Sequence, residues 1–347
     1  MTDPQDTNYN KPELCVVFGA TGMLGTALVN QLLDRGKRVS TFDLQLISDD
    51  RVEQIQGDIR NPQDVRKAVE GVATVFQTVA IIDWNPREPD SLYDVNVRGN
   101  SNVIEACIEA GVQKLIYTSS MDVVFDGHPL YYADESTPYP KKYLDHYSHS
   151  KAVAEQEVIA ANGKGGLLTC SIRATGIYGP GDNVRFPAVI NALRAGNPPR
   201  MGDGSARVSN VYVDNCAYAH ILAAEMLEKG SALEGQCYFI TDHEPANFYD
   251  FVYDDVCRKL GYQVSERRIP HWFAKMIAQI SEWWTKATRS KKTPLITNYV
   301  VAATCNHFCF TSAKAKRDFG YEPIVSREEA IERTLADLRD RGLAKQD

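Results

Sequence analysis

The run Leu14-Cys15-Val16-Val17-Phe18-Gly19-Ala20-Thr21-Gly22-Met23-Leu24-Gly25 decides the architecture of the chain. Its first five residues are apolar in both phases of the alternation, as in a strand covered on both faces. Three glycines at Gly-x-x-Gly-x-x-Gly spacing follow at once, and an amphipathic helix is expected over Met23–Asp34. Gly19 permits a tight turn, Gly22 keeps a Cβ out of the path of a pyrophosphate, and Gly25 lets helix and strand pack closely. The helix start around Thr21, Met23 and Leu24 then presents free N–H groups and a positive dipole end to phosphates.

Outward from that turn, apolar strands alternate with helical patterns. Strands are expected at 38–42, 52–56, 73–78, 114–118 and 167–172, and helices at 62–70, 91–110 and 147–161. The fold class is therefore α/β, a doubly wound parallel sheet of Rossmann type with a smaller, irregular C-terminal substrate region. The division reads as a loose tail over 1–11 and an NAD-binding domain over 12–180. Strands near 209–241 (211–213 and 237–241) return to the sheet, and 181–208 and 242–347 form the substrate-binding region. A helix over 331–341 closes the chain.

The 347 residues are 44% hydrophobic and 24% charged, ordinary for a globular protein. A net charge of −7 argues against a general nucleic-acid partner. The eight cysteines show no disulfide-scaffold spacing and read as free thiols of a reducing compartment. Cys305-Asn306-His307-Phe308-Cys309 lacks a second ligand pair at a metal-binding spacing, so it reads as a strand with buried thiols and no metal is expected. The polar, acidic start is unlike a signal peptide, and no apolar run approaches the ~18 residues of a membrane span. The expected location is cytoplasmic.

Asp43 ends the second strand, where a carboxylate accepts hydrogen bonds from both ribose hydroxyls and repels the 2′-phosphate of NADP. NAD is the expected cofactor. Arg35, Lys37 and Arg38 read as a solvated turn. Asp58, before Ile59, either reaches the adenine amino group or is a simple turn aspartate.

Tyr147 and Lys151 stand four apart on an expected helix and share a face. A phenol with an ordinary pKa near about 10 is a poor base at neutral pH, and a neighbouring ammonium favours its phenolate. The preceding strand ends in Thr118-Ser119-Ser120, where a parallel sheet presents its ligands. Ser120, or less readily Ser119, holds a substrate oxygen while Tyr147 takes the hydroxyl proton and hydride passes to nicotinamide.

With those residues in place, the chain resembles the extended short-chain dehydrogenases/reductases. Arg173-Ala174-Thr175-Gly176-Ile177-Tyr178-Gly179-Pro180-Gly181-Asp182 and Tyr238-Phe239-Ile240-Thr241-Asp242-His243-Glu244-Pro245 are similar, more narrowly, to the 3β-hydroxysteroid dehydrogenase and sterol-4-carboxylate 3-dehydrogenase branch. The resemblance spans about 13 to 338. It implies catalysis by Tyr147, Lys151 and Ser120, cofactor binding by Gly19, Thr21, Gly22, Met23, Leu24, Gly25, Asp43, Asp58, Ile59 and Lys151, a small sterol-like substrate, and a homodimer built on the helices starting near Ser91 and Tyr147. Thr175-Gly176 stand where sugar-nucleotide relatives carry an Asn, which weighs against an epimerase or dehydratase. Gln77 stands where the family often has His.

The substrate end is less determinate. Over 270–284, Trp272, Met276, Ile280 and Trp283 recur at helical spacing, with Phe273, Ile277 and Trp284 widening the stripe. The basic residues Lys286, Arg289, Lys291 and Lys292 follow. The stripe packs inward, walls an apolar substrate pocket, or touches a membrane through 270–292. His146 and His149 flank Tyr147 and read as lining or solvent residues. The leading function is oxidation or reduction of a secondary alcohol or ketone on an apolar molecule, foremost a 3β-hydroxysteroid. A long-chain β-keto acid reductase, a nucleotide-sugar epimerase and a non-catalytic NAD-binding regulator are the alternatives.

Overall fold

A computed structural model describes residues 13–87, 91–290 and 292–345, so the expected tail over 1–11 and Lys291 lie outside the described residues. The first strand, β1 (Leu14–Phe18), shows why the chain layers as it does. Val16 and Phe18 enter one hydrophobic core, while Cys15 and Val17 enter a second core on the opposite face of the sheet. Successive side chains of a strand point to opposite faces, so an unbroken apolar run serves two cores at once. Val16, Val17 and Phe18 are fully buried, each worth about 1.5–3 kcal/mol in transfer from water.

Helix α1 (Met23–Asp34) buries Leu24, Ala27, Leu28 and Leu32, a stripe at helical spacing. The chain continues through β2 (Arg38–Asp43), β3 (Glu53–Gln56), α2 (Pro62–Ala68), β4 (Thr74–Gln77), α3 (Asn100–Ala110), β5 (Lys114–Ser120), α4 (His146–Ala161), β6 (Leu168–Ala174), α5 (Val213–Met226) and β7 (Gln236–Ile240). The seven strands form one parallel sheet in the order β7-β6-β5-β4-β1-β2-β3. The order reverses between β1 and β4, and the crevice beyond the strand ends at such a switch point is where a ligand binds.

Three expectations change in detail. The helix expected over 91–110 is not uniform. Residues Asp94–Gly99 form a wider π-helical turn before α3 begins. Within that turn the Asn96 amide donates to Ile81 O at 2.9 Å and to Ser150 Oγ at 3.0 Å, and accepts from Ile81 N at 2.7 Å. The strand expected at 211–213 occupies Asn210–Tyr212 and does not return to the main sheet. It pairs with Gly176–Tyr178 in a separate two-stranded ribbon, whereas β7 does join the sheet edge. Cys305 ends the helix Asn298–Cys305 and is half-buried, so only Phe308–Phe310 of that segment is a strand.

Helix α6 (His271–Thr288) overturns the inward-packing expectation for the tryptophan stripe. Its buried residues are Ala274, Ala278 and Thr285, and the two alanines pack with Val301 of α7 (Asn298–Cys305). Trp272, Trp283 and Trp284 face out, 69%, 65% and 63% exposed, with Met276 and Ile280 exposed beside them, while Phe273 and Ile277 are half-buried. Among the described residues no helix is long and apolar enough to cross a membrane.

Candidate active site

The turn after β1 is built as a phosphate cradle. Gly19 has φ +84, and a Cβ there would lie 2.6 Å from Thr78 Oγ1. At Gly25 a Cβ would lie 2.0 Å from the Gly19 carbonyl oxygen, so only glycine lets α1 start this close to the strand. Gly22 precedes α1 with no side-chain cap, leaving the N–H groups of the first turn, at Met23, Leu24 and Gly25, without a side-chain acceptor. A helix start of this kind takes a phosphate. Residues Gly19, Gly22, Asp43, Asp58 and Ile59 line one cleft of about 420 Å³. Its open glycine wall, uncapped helix start and terminal carboxylate fit a dinucleotide.

Asp43 ends β2, and its Oδ2 accepts from Thr21 N at 3.0 Å and Thr21 Oγ1 at 2.8 Å. Oδ1 accepts from Leu44 N at 2.7 Å. The carboxylate is thus held at the cleft wall by the glycine turn itself. Asp58 is paired with Arg60 at 2.5 Å, which holds its carboxyl below the usual range. Met23 and Leu24 form the first turn of α1, with Leu24 turned into the core. Ile59 is buried against Gly99, where a Cβ would come within 2.8 Å of its Cγ2. Gln77 is buried, and its Oε1 accepts from Val79 N at 2.7 Å, fixing the backbone at the cleft edge.

The residues expected to move a proton come together at the other side of the switch point. Ser120 is the last residue of β5, and Tyr147 and Lys151 lie on the sheet-facing side of α4; all three are buried. Asp145 caps that helix, accepting from Ser148 N at 2.8 Å and Ser148 Oγ at 2.7 Å. Burial pushes Asp145 up to about 7. Lys151 Nζ donates to the Thr118 carbonyl at 2.5 Å and stands 4.3 Å over the Tyr117 ring. Burial pulls its ammonium down to about 7, opposed by the Glu155 charge.

The Tyr147 phenol is pushed well up, by burial first and then by the charge of Asp122, while the Ser120 hydroxyl favours the phenolate. The Lys151 ammonium is turned to the Thr118 carbonyl. Ser119, paired across the strands with Arg173 where Ser120 pairs with Ala174, points to the other face. His149 and His146 turn to Tyr93, at 2.8 and 3.4 Å.

Several neighbours were not legible in the sequence. Asp122 accepts from Ser120 Oγ at 2.8 Å and from Tyr299 Oη at 2.7 Å. Trp84 stacks on Tyr299 at 5.3 Å and meets Tyr147 edge-on at 6.1 Å, giving the site an aromatic wall. His220 Nε2 lies 2.8 Å from Thr118 Oγ1, behind the carbonyl that holds Lys151. Glu155 and Arg173 form a fully buried ion pair at 2.8 Å. Arg173 opens the run 173–182 quoted for the resemblance, and Asp145 carries a readable signal, an N-cap aspartate three residues before Ser148.

Proteins of similar sequence and structure are known. The model of the 3-beta hydroxysteroid dehydrogenase/isomerase family matches residues 16–271. The mouse sterol-4-alpha-carboxylate 3-dehydrogenase, decarboxylating, is 38% identical over 94% of this chain and 91% of its own. The Arabidopsis thaliana 3beta-hydroxysteroid-dehydrogenase/decarboxylase isoform 1 is 41% identical over 92% and 78%. Among solved structures, that of gox2253 superposes with TM-score 0.78 at 26% identity, covering 96% of this chain and 100% of that one. The UDP-glucose 4-epimerase of Thermus thermophilus, in complex with NAD, superposes with TM-score 0.71 at 21% identity, covering 94% and 99%, which shows the shared fold. The chain belongs to the 3-beta hydroxysteroid dehydrogenase/isomerase family.

Proposed function

We propose that the protein is an NAD-dependent oxidoreductase that interconverts a secondary alcohol and a ketone on a sterol-like substrate, foremost a 3β-hydroxysteroid. The observation that carries this reading is the meeting of Ser120, Tyr147 and Lys151 in one buried site walled by Trp84 and Tyr299. Gly19, Gly22 and the first turn of α1 hold the pyrophosphate, Asp43 the adenine-side ribose, and Lys151 the nicotinamide-side ribose. NAD, when bound, supplies the hydride acceptor and a positive charge beside the phenol.

In oxidation the substrate hydroxyl lies between Ser120 and Tyr147. Tyr147 takes the proton, and Ser120 steadies the oxygen as its carbonyl forms. The aromatic wall excludes water and suits a flat apolar molecule. Thr175 donates its hydroxyl to Ile240 O at 2.9 Å and is buried, so it has no hydrogen to offer a sugar-nucleotide diphosphate.

The exposed face of α6 is read as a lipid contact, the place where a membrane-dissolved substrate is met. Lys275, Lys286, Arg289 and Lys292 accompany that face in a chain of net charge −7, matching an anionic bilayer surface. A cofactor-reduction screen tests the substrate class, with hydroxysteroids, long-chain 3-hydroxy acids and UDP-sugars offered in parallel. NADH formed with the hydroxysteroids supports the reading. NADH formed with UDP-sugars or 3-hydroxy acids alone overturns it.

A further inference from the structure

We propose that Asp122 is a positioning residue that works as a neutral acid, turning the Ser120 hydroxyl into a hydrogen-bond donor to the substrate oxygen; this rests on the roles assigned above to Ser120 and Tyr147. Asp122 lies in the turn Met121–Val124 that follows β5, and is 4% exposed. Each carboxyl oxygen meets one hydroxyl, Ser120 Oγ on Oδ2 at 2.8 Å and Tyr299 Oη on Oδ1 at 2.7 Å. Among the described residues no cation is hydrogen-bonded or ion-paired to it. The titratable groups around it are Tyr147 and Asp145 at the start of α4 and Tyr299 on α7, all acidic in kind. Arg185 acts on it through charge only, and its own guanidinium donates to Asn210 Oδ1 at 2.6 Å.

Hydrogen counting at Ser120 separates the two states of Asp122. A hydroxyl has one hydrogen and two acceptor positions. Asp122 N already donates to Ser120 Oγ at 3.2 Å. With an ionised Asp122, the Ser120 hydrogen is committed to Oδ2, and Ser120 can only accept from the substrate hydroxyl. It then competes with Tyr147 for the one proton that must move. With a protonated Asp122, the acid donates to Ser120 Oγ, both acceptor positions are filled, and the Ser120 hydrogen is free for the substrate oxygen. That donor is what a developing alkoxide needs.

The electrostatics run the same way. Asp122, Asp145 and Tyr147 share a dry pocket, and like charges there oppose one another. A charge on Asp122 pushes both Tyr147 and Asp145 up, against formation of the phenolate base. A neutral Asp122 removes that opposition. Burial raises the Asp122 carboxyl, and this outweighs the hydrogen bonds from Tyr299 and Ser120 and the Arg185 charge, which favour the carboxylate. Carboxylic acids held neutral in apolar sites so that they donate a hydrogen bond are an established catalytic device. The proton on Asp122 stays there through the cycle, and the substrate proton goes to Tyr147.

Infrared difference spectroscopy of the substrate-free protein at neutral pH, Asp145→Asn minus the double variant Asp145→Asn/Asp122→Asn, reads the proton directly, because the neighbouring Asp145 carboxyl, itself raised to about 7, is then absent from both chains. A carboxylic-acid carbonyl band above the amide I region that is lost in the double variant is expected; a difference spectrum without that band overturns the proposal. If the double variant fails to fold, as judged by circular dichroism, the same band is sought in the natural chain against Ser120→Ala. A shift of the band supports the proposal, and no shift overturns it. In turnover of a hydroxysteroid, Asp122→Asn keeps a donor beside Ser120, whereas Asp122→Ala does not. The Asn variant is expected to exceed the Ala variant in kcat by about tenfold or more, and equal losses overturn the proposal. The infrared reading needs no substrate, so its failure is distinct from failure of the dehydrogenase reading.

Discussion

Glu155→Gln strikes the ion pair on which the catalytic helix rests. Glu155 is fully buried and Arg173 nearly so. Oε1 accepts from Arg173 Nη2 at 2.8 Å, Arg173 Nε at 3.0 Å and Tyr139 Oη at 2.6 Å, and Oε2 accepts from Ser171 Oγ at 2.9 Å. Glutamine keeps one acceptor oxygen and turns N–H hydrogens toward donors. It also leaves Arg173, whose Nη1 already has no partner among the described residues, as an uncompensated buried cation. Breaking a buried pair from one side costs about 3–5 kcal/mol. With a urea m-value of about 3 kcal/mol/M, the unfolding midpoint falls by about 1–1.7 M.

A second consequence reaches the chemistry. Glu155 stands one turn beyond Lys151 on α4, and its charge supports an ammonium that burial has drawn down to about 7. Without that charge the ammonium loses its proton at lower pH. The pH at which kcat/KM declines with loss of the cation therefore moves down in the variant. The assays are urea unfolding followed by circular dichroism, and a pH profile of hydroxysteroid oxidation. A stability loss below about 1 kcal/mol refutes the energetic reasoning. A folded variant with an unmoved pH profile refutes the link to Lys151.

Gly25→Ala drives a Cβ to 2.0 Å from a backbone carbonyl and displaces the start of α1. NADH affinity, read by fluorescence titration, is expected to fall more than about tenfold, and unchanged affinity contradicts the cradle. Asp43→Ala removes the acceptor of Thr21 and with it the proposed ribose ligand. The preference for NAD over NADP is expected to drop about tenfold, and a preference that does not move removes Asp43 from that role. Replacing Trp283 and Trp284 together by alanine is expected to weaken co-sedimentation with phosphatidylserine vesicles about tenfold. A natural chain that stays in the supernatant refutes the lipid contact.

The parts of the fold readable in the sequence are those where one local pattern leaves one physical answer. Leu14–Phe18 and Met23–Asp34 agree with the structure residue for residue, because an apolar run, glycine punctuation and helical periodicity all bound the same elements. Tyr147 and Lys151 lie on one buried face because α4 is a regular helix. Asp122 carries no such local signal, standing between Met121 and Val123-Val124. Its meaning depends on Tyr299, which is 177 positions away and reaches it only through tertiary packing.

The tryptophan helix forms as expected, but which way its stripe faces is not legible. Its periodicity is clear, but periodicity identifies an apolar face without saying what covers it. Here Ala274 and Ala278 take the inner face, because small side chains allow close approach to α7. The strand expected at 211–213 pairs with Gly176–Tyr178 and not with the main sheet, because pairing partners are not encoded by local apolarity.

The most direct test is the turnover of Tyr147→Phe with a hydroxysteroid and NAD, measured beside NADH binding. The substitution removes one hydroxyl and keeps the ring that packs against Trp84. A fall in kcat of about 10²–10⁴-fold with NADH affinity retained is expected for a positioned acid–base group. A variant that turns over as fast as the natural chain contradicts the assignment of Tyr147 as the base.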